Sequence, residues 1–139
     1  MKFTTSTDAE METFLSVIGK HLNEIGAEGM IDLYTDEPIK EPALQQALIE
    51  MTQEVESQHS RKGDYLTGVP LDFASQTGLR RFALLGHRTI GSEAYVGKKL
   101  VFTSIENERI VWLDLPTADV TSLEEAALAA GARSLRRLP

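Results

Sequence analysis

Between Gly86 and Lys99 the chain gathers nearly every polar side-chain type around three glycines: His87, Arg88, Ser92, Glu93, Tyr95 and Lys98. His87 is the candidate general acid–base, because an imidazole titrates near neutral pH. Glu93 could orient it, with Tyr95 stabilising an anion. Arg88, Ser92 and Lys98, together with backbone amides, are candidate contacts for a small carboxylate or phosphate ligand. Gly86 and Gly91 have the Gly-x-x-x-x-Gly spacing of a phosphate loop, but Ser92 and Glu93 stand where Lys and Ser/Thr are required. Without that lysine the β- and γ-phosphates find no charge, and Glu93 repels them, so nucleotide triphosphatase chemistry is excluded. The simpler expectation for 86–99 is a solvated loop between two strands.

Other chemistries find little support. With no cysteine, disulfides, thiolate zinc sites, iron–sulfur clusters and cysteine nucleophiles are ruled out. His21, His59 and His87 stand apart, with no second ligand at metal spacing, so no metal or cofactor is expected. A Gly-x-Ser-x-Gly elbow is missing, which removes the usual seryl hydrolase. Net charge is −7, but unevenly placed: residues 1–58 carry −9 and residues 59–139 carry +2. The acidic front argues against anionic partners in general. Arg80, Arg81, Arg88, Lys98, Lys99 and the C-terminal arginines are the one basic set, and 6% aromatics offer no base-stacking platform. Nucleic acid is therefore an unfavoured partner.

The length of 139 residues suits one domain over 1–139 with a core of its own. Met1–Thr7 is polar and lacks the apolar stretch of a secretory signal, and no run approaches the ~18 apolar residues of a membrane span. A cytoplasmic location without membrane contact is expected.

The elements that must position these residues follow from periodicity. Thr7 and Glu10 form a capping box, Met11, Phe14, Leu15, Ile18, Leu22 and Ile25 recur at helical spacing, and Gly26 ends the run. This predicts a helix over 8–25. A strand is expected at 30–34 and a second helix from Pro42 to about Ser57. Residues 58–78 show no period and read as a loop, with a short strand at 71–73. The apolar run 80–85 reads as a buried strand. Strands 100–105 and 110–115 form a hairpin around Asn107-Glu108, pairing Thr103 with Trp112 and Phe102 with Leu113. A last helix is expected from Thr121 or Ser122, where two overlapping capping boxes begin, to Gly131, with an edge strand after it. The fold class is α+β: a largely antiparallel sheet with amphipathic helices against it, in the order α-β-α-β-β-β-α-β.

The hairpin bears on function. One face carries Leu100, Phe102, Val111, Leu113 and Leu115, and the other Val101, Thr103, Ile105, Ile110 and Trp112. Neither reads as a solvent face. The simpler expectation divides the helices between both faces, or folds 58–78 over Trp112. What is left uncovered becomes an interface through Trp112, Ile105 and Ile110, for a protein partner or a second copy. The leading functional expectation is a non-enzymatic interaction module: an adaptor, inhibitor, chaperone-like or regulatory protein. The alternative is a small anionic-ligand binder or acid–base enzyme using the 86–99 segment.

Overall fold

A computed structural model describes residues 1–34, 40–58, 65–88, 91–105 and 108–139. The elements run β1 (Lys2–Thr4), α1 (Asp8–Glu24), β2 (Glu28–Tyr34), α2 (Pro42–Gln58), β3 (Tyr65–Leu71), α3 (Gln76–Leu85), β4 (Gly91–Val96), β5 (Lys99–Ser104), β6 (Ile110–Leu113), α4 (Thr117–Ala129) and β7 (Arg136–Leu138). The strands form one sheet in the order β3-β2-β4-β5-β6-β1-β7, every neighbouring pair antiparallel. This is the α+β class that the hydrophobic periods imply.

Helix α1 starts and stops where its sequence dictates. The Thr7 hydroxyl accepts from the Glu10 amide, and the Glu10 carboxylate accepts in turn from the Thr7 hydroxyl. The same carboxylate takes the amide and hydroxyl of Ser134, pinning the turn after α4 to the first turn of α1. At the other end Ala27 donates to the Leu22 carbonyl and Gly26 to that of Asn23, with Gly26 at φ 70°. That is a Schellman stop, and glycine takes the left-handed position without a Cβ penalty.

Two segments differ from expectation. Residues 80–85 are not a strand but the second half of α3, whose buried residues Gly78, Phe82, Ala83 and Leu85 follow a helical period. The Ser75 hydroxyl caps its start by accepting from the Gly78 amide. A short apolar run carries too few turns to separate a buried strand from a buried helix. Gly78 is needed there: a Cβ would lie 1.9 Å from the Asp72 carbonyl oxygen. Accordingly 58–78 is not a loop throughout, since it contains β3 and the start of α3, and 71–73 only touches the end of β3. Residues 86–99 are likewise not one loop, because Gly91–Val96 is β4. Helix α4 begins a turn early at Thr117, after Pro116, so neither expected capping box starts it. The unforeseen β1 is three residues long, inserted between β6 and β7.

In the central hairpin Thr103 faces Trp112 and Phe102 faces Leu113. Residues Glu106 and Asn107 lie outside the described part. A bulge beside β4 sets Leu100 opposite Tyr95, turning it to the face opposite Phe102.

Phe3, Ile31, Leu33, Val69, Ala94, Phe102, Val111 and Leu113 point to one side of the sheet and join the buried residues of all four helices in one core. Edge-to-face ring contacts tie the layers: Phe3 to Phe14 at 5.4 Å, and Phe73 to Phe82 to Phe102 at 5.2 and 5.0 Å. Helix α2 touches α3, α3 touches α1, and α1 touches α4. Among the described residues the helices are thus a single layer and do not divide between the faces.

Candidate functional site

The residues of the 86–99 segment come to rest in four separate places. His87 and Arg88 follow the C-terminus of α3 and meet the start of α1. There the His87 Nε2 lies 3.4 Å from Asp8 Oδ1, while Arg88 and Arg109 approach the same carboxylate at 3.5 and 3.6 Å. Arg88 also bonds Glu41 at 2.8 Å, holding that carboxyl below its ordinary range. His87 is 3% exposed, and neither ring nitrogen makes a regular hydrogen bond. Burial pushes its pKa down to about 4; Asp8 opposes the shift, and Arg88 and Arg109 add to it. The ring is therefore neutral at pH 7, and a base of that strength is poorly matched to proton transfer there. Glu12, one turn along α1, is pushed up by partial burial against the pull of Arg88.

Ser92 points the opposite way from Glu93, into the core. Its hydroxyl donates to the Gly86 carbonyl at 2.8 Å and lies 2.9 Å from the Ser104 hydroxyl, which also accepts from the Ser92 amide. This is a satisfied buried network joining the end of α3 to β4 and β5. Lys98 is exposed in the turn between β4 and β5, after Gly97 at φ 61°.

Glu93 and Tyr95 are on the other face of the sheet, bonded to each other at 2.6 Å, a contact that raises the Tyr95 phenol pKa. A strand sends alternate side chains to opposite sides, so Ser92 cannot share a centre with its neighbours Glu93 and Tyr95. His87, Glu93 and Tyr95 are not brought together, nor are Arg88, Ser92 and Lys98.

What the sheet does assemble is a face that no helix covers among the described residues. Register places Pro70, Met30, Glu93, Thr103, Trp112, Lys2 and Leu138 in one row across all seven strands. One pleat further along, the same face carries Asp32, Ile105, Ile110, Thr4 and Arg136. Each of these is partly or fully exposed, Met30 at 39%. Trp112, Ile105 and Ile110 are neighbours here, as the hairpin pattern implies. The described part of 58–78 does not reach Trp112, since β3 is four strands away.

A groove of about 700 Å³ opens at one end of this face, between the α1–β2 turn and the end of β3. Met30, Pro70 and Tyr95 form its apolar wall, and Glu28 and Asp72 its charged residues. Several basic residues are engaged by carboxylates: Arg81 with Glu54, Arg88 with Glu41, Lys99 with Asp114 and Arg137 with Glu124. Among the described residues no cluster of His, Asp and Glu is arranged to hold a metal ion, and no helix is long and apolar enough to cross a membrane.

No protein-family model, curated protein or solved structure matches the chain.

Sequence reasoning missed Asp8, Glu41 and Arg109 around His87, because nothing local links positions so far apart. It also missed Lys2, Met30, Asp32 and Arg136 on the open face. The alternation Glu28-x-Met30-x-Asp32 was a usable signal, since period two marks residues of one sheet face.

Proposed function

We propose that this chain is a non-enzymatic protein-interaction module whose working surface is the uncovered face of the sheet. The observation that carries the reading is the one-sided packing: the four helices of the described residues serve one face, and the other holds Trp112, Ile110, Ile105 and Met30 partly open to water. A sheet side presented to solvent alone would carry mostly polar residues. Aromatic and Met side chains rimmed by charge are the composition that binding surfaces favour. The separation of His87 from Glu93 and Tyr95 gives acid–base chemistry no assembled centre, which also favours binding over catalysis.

Trp112 is the only tryptophan, so its fluorescence reports on this face alone. Acrylamide quenching of Trp112 should fall on complex formation, and Trp112→Glu should abolish the complex while the circular dichroism spectrum is unchanged. A complex that forms equally well with Trp112→Glu would defeat the reading.

A further inference from the structure

We infer that the partner on this face is a second copy of the same chain, with the two sheets stacked face to face about a two-fold axis. This rests on the reading of the open face as a binding surface and adds the identity of its occupant.

The order of side chains along the rows is self-complementary. Acidic residues lie on the β2 and β4 side of the open face, as Asp32 and Glu93, and basic residues on the β1 and β7 side, as Lys2 and Arg136. Stacking two sheets face to face requires a two-fold axis lying in the plane between them. Set that axis parallel to the strands, midway between β5 and β6. Each strand then lies over the strand equally far on the other side: β5 over β6, β4 over β1, and β2 over β7 of the mate. In the first row Thr103 meets Trp112, Glu93 meets Lys2 and Met30 meets Leu138. In the second, Ile105 meets Ile110 and Asp32 meets Arg136. Both rows are self-complementary about one axis: small against large or apolar against apolar at the centre, opposite charges outside. Shifting the axis by half a strand, onto β5, would lay Glu93 over Trp112 and Met30 over Lys2, and would lose both charge pairings.

The geometry is compatible with ordinary sandwich packing. Stacked sheets lie ~10 Å apart and cross at ~30° through their twist. With strands ~4.8 Å apart, Glu93 and Lys2 sit ~7 Å from the axis. There the twist displaces them by only ~4 Å, which two long side chains can span. An isologous contact repeats every pair twice, so each charge contributes twice to register.

Sedimentation velocity of the full chain over a concentration series should show a monomer–dimer equilibrium. Lys2→Glu and Glu93→Lys should each weaken self-association at least tenfold, because each sets like charges over one another twice. An equimolar mixture of the two variants should regain the dimer, since every Glu then meets a Lys across the axis. The double variant carrying both reversals should also dimerise, and thermal melts of each variant serve as the folding control. A wild-type chain that stays monomeric overturns the self-pairing, as does a dimer indifferent to both reversals or a mixture that fails to recover. The broader reading fails separately. A monomer whose Trp112→Glu variant loses a foreign partner keeps the face and rejects the second copy, whereas a dimer that survives Trp112→Glu overturns both.

Discussion

The two faces of this sheet use the same strands to opposite ends. On the covered side Phe3, Ile31, Ala94, Phe102, Val111 and Leu113 are sealed under four helices, and the few polar groups there, such as Ser92 and Ser104, bond each other. On the open side apolar residues alternate with charges, and the ionic groups are sorted by sign across the sheet. Adjacent residues such as Ser92 and Glu93 live in these two environments only because a strand alternates. The covered face is where stability is made. The open face holds side chains that the core does not enclose, such as Met30 and Trp112.

Measuring how much each side contributes to stability tests this division of the sheet. Phe82 joins Phe73 and Phe102 at the centre of the covered side, and Phe82→Ala should destabilise the chain by about 3–5 kcal/mol in urea unfolding. A loss below ~1 kcal/mol would mean that the covered side is not the packed core described. His87 lies at the margin of the same layer. Its pKa of about 4 against an ordinary 6.5 means that the unfolded chain binds more protons between these values. The contribution is therefore complete above pH 6.5 and lost as pH falls toward 4, by about 3 kcal/mol. Urea unfolding from pH 7 to pH 4 should show this slope, and His87→Gln should flatten it. Ser104→Ala leaves the Ser92 amide buried without a partner and should cost about 1–3 kcal/mol. On the open side, Met30→Thr should change the stability of the monomer by less than about 0.5 kcal/mol. Unfolding at low protein concentration checks that value, and a core-sized loss there would erase the distinction between the faces.

The legible parts of the fold were those whose signals are local. Thr7, Glu10 and Gly26 mark the ends of α1, and the hairpin register follows from β-branched and aromatic alternation around a short turn. The failures have physical causes too. A six-residue apolar run fits a buried strand and a buried helix equally well, and what selected helix at 80–85 was the Ser75 cap with Gly78 beneath the Asp72 carbonyl. Strand β1 is too short to have a period and exists because β6 and β7 pair with it on either side. Among the site residues, the adjacency of Trp112, Ile105 and Ile110 could be read from the hairpin. The dispersal of His87, Ser92 and Glu93 could not, because it depends on β4 beginning at Gly91.

By itself, then, the chain determined its α+β class, the ends of its first helix, the pairing of Phe102 with Leu113 and of Thr103 with Trp112, and the absence of any cysteine chemistry. These rest on contacts within a few residues or across one turn. Only the tertiary structure decided that the four described helices share one face, that Asp8 meets His87, and that Lys2 and Glu93 stand in one row with Trp112. Such relations depend on the order in which strands join the sheet. Strand order is set by packing the whole core at once, and no local stretch of sequence carries it.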